Sequence, residues 1–479
     1  MANLTLFTAN RFSGDTSYLA EFFGAQTATD FEIISSEGIL REYFSGTDFT
    51  YRSGFFRTGT INEQYGFNAD GSLASSITGL SLDVAERNAA LTIGTSGARL
   101  GQLIFAGDDV IVGSEGDDAF GGSRGTDTID GGAGSDVLSY DGFDSAVVAD
   151  LVSGKAETEL GTATMVRIED LTGSEFADTL RGNSGRNLLQ GLAGNDIIDG
   201  RGGIDTVSYL DATSAVTVDL TAGTATGGSG NDTLSGIERV IGSRHNDTLL
   251  GSAATDSFLG SFGDDAIDGR GGIDTVEYGN VARGVTVNLG AGTATGGAGT
   301  DTLTSIENAT GSIFNDTLVG SGKANTLRGM AGNDTISGGA GADRLNGDAG
   351  RDILSGGTGN DTLTGGLGQD VFRFNTTLGT ARIANIDRIT DFSVTDDTIQ
   401  LENAIFTRYG TATGEIAAGT FKSIATGDAT DANDYIVYNK TTGALFYDTN
   451  GSTGGLADAV QIATLSKDLL LTSEDFVLI

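Results

Sequence analysis

GGTGNDTLT at 356–364 is followed at once by GGLGQDVFR at 365–373. Both read Gly-Gly-x-Gly-x-Asp-x-apolar-x. The glycine half is turn chemistry, the last three residues make a very short strand, and one carboxylate stands where the halves meet. A unit this short has meaning only if it recurs.

It does recur. From Asp316 the nine-residue step runs through Asn325, Asp334, Asp343, Asp352, Asp361 and Asp370. The same step links Asp109, Asp118, Asp127 and Asp136, then Asp178, Asn187, Asp196 and Asp205, then Asp247, Asp256, Asp265 and Asp274. The first members, Asp109, Asp178, Asp247 and Asp316, are each 69 residues apart, so a larger unit is begun four times. Its second half is copied as well: SAVVADL (145–151) becomes SAVTVDL (214–220) and RGVTVNL (283–289). Two of these stretches restate the short unit, around Asp232 in GGSGNDTLS and Asp301 in GGAGTDTLT, and 152–166 has lost it. Apolar residues alternate as in strands and never at helical spacing. The economical expectation is an all-β fold, a continuous parallel β-solenoid or β-roll over 105–374. Small β domains at 1–104 and 375–479 flank it, the latter with a hairpin at YIVYNKTTGALFYD (435–448).

Composition narrows the partners. The 479 residues include 76 Gly, one His and no Pro, Cys or Trp, and the formal net charge is −38. Such a charge excludes a nucleic-acid backbone or an anionic membrane as natural partner and suits cations. Without Cys there is no disulfide, thiolate chemistry or soft-metal site. No stretch reaches the ~20 apolar residues of a membrane span. The N-terminus lacks the basic and apolar regions of a signal peptide, so export is expected to use another address.

In GGxGxD the glycines take positive φ at no steric cost, and the loop curls with its carbonyls inward. Carbonyls plus one carboxylate offer only hard oxygen ligands, which suits Ca²⁺ with its six to eight oxygens better than the tighter Mg²⁺ octahedron. With two units per turn of the coil, loops two units apart stack, and an ion is shared by Asp334 and Asp352 or by Asp343 and Asp361. The candidate calcium ligands are Asp118, Asp127, Asp136, Asp196, Asp205, Asp232, Asp247, Asp256, Asp265, Asp274, Asp301, Asp316, Asp334, Asp343, Asp352, Asp361 and Asp370, together with Asp109 and Asp178, which lack a full Gly-Gly loop before them. Asn187 and Asn325, beside Arg186 and Lys323, are expected to be weak or empty positions.

Residues 105–374 resemble the RTX, or haemolysin-type calcium-binding, repeat family, and IDRITDF…DDTIQL (386–401) with the DFVLI end resembles the C-terminal region of such proteins. The resemblance implies a parallel β-roll holding multiple Ca²⁺ ions, export through a type I secretion apparatus read from an uncleaved C-terminal signal, and folding outside the cell.

Enzyme chemistry is constrained by inventory. With His245 alone there is no His-pair zinc site and no His-based triad, and the equivalent positions Phe176 and Phe314 suggest that His245 fills a packing position. DTNGSTGG (448–455) departs from an EF-hand loop at Thr453 and Ala459. Tyr65 and Phe67 are expected in a β-sandwich core rather than on a sugar-binding face. The reading is therefore a secreted, extracellular or surface-associated, non-catalytic calcium-binding protein that forms a homo-oligomer or polymer: a surface layer, filament or matrix. The alternative is a polysaccharide-binding or carboxylate-based polysaccharide-modifying protein, because carboxylate pairs stay open in a chain with 65 Asp and Glu.

Overall fold

The computed structural model describes the backbone of four strands between 28 and 78, and residues 110–479 except 114, 123, 298, 380–384, 426–432, 450–455 and 457–458. It is all-β: the described helical segments are short 3-10 turns such as Thr407–Tyr409 and Ser473–Asp475. Asp109 lies outside the described residues, as do the side chains of Tyr65 and Phe67. The chain divides into two compact units, Met1–Thr213 with Gly223–Ile237, and Ser214–Ala222 with Glu238–Ile479.

In the first unit, Ala28–Ile34, Arg41–Arg52, Phe55–Phe67 and Leu73–Thr78 form an antiparallel meander, which continues onto Val110–Val112. From there the pairing turns parallel. Val110–Val112 lies beside Gly125–Asp130, and on the opposite sheet Ala119–Gly121, Val137–Ser139, Asp170–Thr172, Leu188–Gln190 and Thr206–Ser208 follow in parallel order. In the second unit the most regular stretch runs Thr317–Val319, Thr335–Ala340, Ile353–Thr358 and Val371–Phe374 on one sheet. Thr326–Ala331, Arg344–Ala349 and Thr362–Leu367 form the other. Partners such as Ile336 and Leu354, or Leu345 and Leu363, are 18 residues apart, which is two nonapeptides per turn.

A three-residue arm turns chiefly one side chain into the core, the apolar residue two after Asp, although Thr206–Ser208 is buried throughout. Leu327, Ile336, Leu345, Leu354, Leu363 and Phe372 are buried almost completely between the sheets.

The continuous parallel coil expected from sequence is interrupted. In the first unit Lys155–Thr158 pairs antiparallel with both Val147–Asp150 and Gly161–Val166, so 147–166 is a three-stranded meander. In the second, Thr293–Gly296 does the same between Val285–Asn288 and Thr300–Thr304. Outer strands of each meander rejoin the stack in parallel, Gly161–Val166 beside Gly125–Asp130 and Val285–Asn288 beside Thr317–Val319. The cause is covalent. The second half of the 69-residue unit is longer than one turn of coil, and folding the excess into a hairpin pairs its backbone groups.

After Phe374 the stack continues through Thr398–Leu401 to Phe476–Leu478, so the DFVLI end is a strand of the sheet. The hairpin forms, with Ile436 opposite Tyr447 and Asn439 opposite Ala444.

Candidate metal centres

The carboxylates named above, Asp109 apart, stand in columns along the edges of the stacked sheets. Asp127, Asp136, Asp178, Asp196, Asp205, Asp232, Asp247, Asp256, Asp265, Asp274, Asp301, Asp316, Asp334, Asp343, Asp352, Asp361 and Asp370 are all buried, whereas Asp118 is half-buried. Each column is strung on one repeated hydrogen bond. The main-chain N–H of Asp316 donates to Asp334 Oδ1, that of Asp334 to Asp352 Oδ1 and that of Asp352 to Asp370 Oδ1, at 2.8, 2.8 and 2.9 Å. The other edge repeats it from Asn325 to Asp343 and from Asp343 to Asp361, both 2.8 Å. The earlier copies match, with Asp118 donating to Asp136, Asp178 to Asp196, Asn187 to Asp205, Asp247 to Asp265 and Asp256 to Asp274. Sequence-paired Asp334 and Asp352, and Asp343 and Asp361, are thus brought together.

Two glycines in each loop are dictated by this packing. A methyl group on Gly329, five residues before Asp334, would be driven into Asp334 Oδ2 and would lie 3.0 Å from the Gly347 carbonyl oxygen. Gly359, two residues before Asp361, has φ +138° and packs on the Gly341 carbonyl of the loop below, where no Cβ fits.

The second carboxylate oxygen behaves differently. Oδ2 of Asp136, Asp196, Asp265, Asp274, Asp334, Asp343, Asp352, Asp361 and Asp370 is buried and accepts no hydrogen bond. An unsatisfied buried acceptor costs about 1–3 kcal/mol, and more when charged. The carboxyls respond as expected for the bare chain. Burial raises Asp136, Asp343 and Asp352 to about 6, Asp334 and Asp196 to about 7 and Asp265 to about 8, with neighbouring carboxylates adding to the rise. Beside Gly329 and again beside Gly338 and Gly347, such an oxygen and a glycine carbonyl of the next turn converge with no donor between them. That donor-free set of hard oxygens fits Ca²⁺. Among the described residues no three Asp, Glu or His side chains gather as a cluster; the oxygens beside these carboxylates are main-chain carbonyls such as those of Gly347, Gly356 and Gly365.

Other positions are closed by protein donors. Ser174 N–H donates to Asp178 Oδ2 at 2.5 Å and its hydroxyl to Oδ1 at 2.9 Å, while Val147 N–H also donates to Oδ1 at 2.7 Å. Ser243 and Val216 do the same for Asp247, and Ser312 and Val285 for Asp316. Asp232 Oδ2 takes the Tyr209 hydroxyl at 3.0 Å, and Asp301 Oδ2 the Tyr278 hydroxyl at 2.8 Å. At Asp256 the Ser252 donors reach Oδ2 and leave Oδ1 unpartnered. Asn187 and Asn325 donate their amides to the Glu169 and Glu307 carbonyls, both 2.6 Å, putting a donor where the open loops lack one.

Two column members escape the nonapeptide rule. Asp361 N–H donates to Asp387 Oδ1 and Asp370 N–H to Asp397 Oδ1, across 26 and 27 residues. Both lie in the quoted IDRITDF…DDTIQL segment, but the changed spacing hides them. Asp397 Oδ2 is closed by Ser393 N–H at 2.8 Å. His245 does not fill a packing position: it is exposed at a loop tip, as are Phe176 and Phe314, because the loop turns outward between the Ser243 and Asp247 bonds. Of DTNGSTGG, Asp448 is buried, and 450–455 lie outside the described residues.

Stacked glycine loops around columns of buried, donor-poor carboxylates define a calcium-binding β-roll protein. Its repeats are RTX calcium-binding nonapeptide repeats: 105–138, 172–207, 222–236, 241–276, 310–345 and 337–372 match that family's four-copy model. The unmatched 139–171 and 277–309 contain the meanders centred on Lys155–Thr158 and Thr293–Gly296. The chain is similar to the AlgE6R2 subunit of the Azotobacter vinelandii mannuronan C5-epimerase, at 26% identity over 33% of this chain and 91% of that one, TM-score 0.23. It is also similar to the AlgE6R3 subunit of the same enzyme, at 24% identity over 34% and 78%, TM-score 0.17. Extracellular lipase LipA of Serratia marcescens aligns at 14% identity over 63% of this chain and 40% of that one, TM-score 0.22. No curated protein matches the chain.

Proposed function

We propose that this chain is a secreted structural protein whose roll folds when it meets Ca²⁺ outside the cell and then assembles with further copies into a surface layer, filament or matrix. The observation carrying the proposal is the column of buried Oδ2 atoms without donors in Asp334, Asp352 and Asp370 on one edge and Asp343 and Asp361 on the other. Those carboxylates, with glycine carbonyls of adjacent turns, hold the ions; the earlier copies contribute Asp136, Asp196, Asp265 and Asp274. A bound divalent ion neutralises charge that burial makes costly, so binding and folding are one event. At cytosolic calcium the same sites leave the chain open, which suits export before folding through a type I apparatus.

Assembly rests on subtraction. The roll and its C-terminal continuation take up most of the described residues, and no catalytic domain is evident among them. The N-terminal meander and the region after 374 serve as caps or joints at the strand edges, where a sheet otherwise invites pairing. Light scattering on the full chain tests this: particles grow on adding millimolar Ca²⁺ and revert in chelator. A monomer under both conditions contradicts assembly while leaving calcium-linked folding intact.

A further inference from the structure

The columns contain two kinds of loop, and what separates them is the backbone four residues before Asp. In loops with an unpartnered Oδ2 that residue has positive φ, even where it is not glycine: Leu192 +69°, Ser261 +71°, Met330 +81°, Asp348 +71°. Non-glycine residues pay for this conformation, and such strain persists where the surroundings impose it, typically around ligand sites. In the other kind the residue is Ser174, Ser243, Ser252 or Ser312, none with positive φ, and its N–H and hydroxyl turn onto the carboxylate. Serine alone does not decide. Ser261 has positive φ, its hydroxyl accepts from Asn280 instead, and Asp265 Oδ2 stays unpartnered.

The loops closed on both oxygens have a common place, whereas Asp256 keeps Oδ1 unpartnered. Asp178, Asp247 and Asp316 are the first column members after the second half of each 69-residue unit, where the N–H donor comes from Val147, Val216 or Val285 at a separation of 31 residues rather than 18. Asp232 and Asp301, within that second half, are closed by tyrosine hydroxyls. A carboxylate already holding two or three protein donors has no oxygen left facing carbonyls alone.

Building on the calcium reading above, we infer that the ladder is divided into calcium-holding blocks and calcium-free seams. The seams lie at Asp178, Asp232, Asp247, Asp301 and Asp316, where Ser and Tyr donors replace the ion. Seams are built into the chain and form without metal, so each block loads between neighbours that need no calcium.

The experiment counts bound calcium per full-length chain by equilibrium dialysis, with the β signal in circular dichroism as the check of folding. Asp316→Asn and Ser312→Ala are expected to keep the parent's count, while the double variant Asp334→Asn, Asp352→Asn loses ions. Loss of ions in Asp316→Asn comparable to that double variant overturns the seams. If Asp316→Asn does not fold, Ser312→Ala decides: an unchanged count supports the seam and a changed one overturns it. A full count in the double variant removes instead the calcium reading on which the seams rest.

Discussion

At Asp361 the demands on a single residue meet. One oxygen belongs to the stack, held by the Asp343 N–H, and the other is kept buried without a donor. Its loop tolerates no side chain at Gly359, because the Gly341 carbonyl occupies that space and φ is +138°. Gly359→Ala is therefore expected to cost about 1–3 kcal/mol or more in calcium-loaded stability by urea unfolding. Gly410, also at positive φ but with open space around it, serves as the control for strain without collision. A second residue-scale device is the Arg270–Asp219 pair, at 2.7 and 2.8 Å, with Arg270 also donating to the Gly251 carbonyl. Arg201, Asp150 and Gly182 repeat it 69 residues earlier. In the third copy both partners are gone together, Asn288 and Gly339 standing in their places. The arginine holds the Asp219 carboxyl down at about 2. Both groups are partly exposed, so Asp219→Asn is expected to cost no more than about 1 kcal/mol in the same unfolding assay.

At the scale of the element, each arm centres on one buried apolar residue two after Asp, so core stability is spread along the coil rather than concentrated in one place. Leu345→Ala is expected to lose about 2–5 kcal/mol, with similar losses at Leu327 and Leu363. Leu367→Ser, at an exposed position, is expected to change thermal stability little. Much of this was legible in the sequence. The nine-residue step gives the 18-residue register, and the x-apolar-x rhythm names the core. The antiparallel meanders were not legible, because V-x-V-x-L alternation looks the same whether the neighbouring strand runs parallel or antiparallel. The stretch 152–166 keeps its strands with Ala163 standing where Asp232 and Asp301 stand later, since backbone pairing needs no carboxylate. Among site residues, the columns were readable from Asp spacing. Asp387 and Asp397 were hidden by a spacing change, and the open or closed state of each loop lies in φ angles that residue type does not fix.

At the scale of the whole molecule, the net charge of −38 includes carboxylates that the fold places out of water. In the metal-free chain their folded-state pKa values are raised, to about 6 at Asp136 and about 8 at Asp265, against an ordinary value of 3.8. A raised carboxyl favours the fold when protonated. That contribution is whole below pH about 4 and is lost as pH rises through about 6 to 8. Metal-stripped protein is thus expected to show more β signal at pH 5 than at pH 8. With calcium the trend reverses, because protons compete for the same oxygens. Calcium binding in place of protonation at neutral pH is the central claim, and a calcium titration of metal-stripped protein at pH 7.5, followed by circular dichroism, tests it most directly. The account predicts a largely disordered spectrum in chelator and a cooperative rise of β signal towards millimolar calcium. The same β spectrum at both ends of the titration would contradict it.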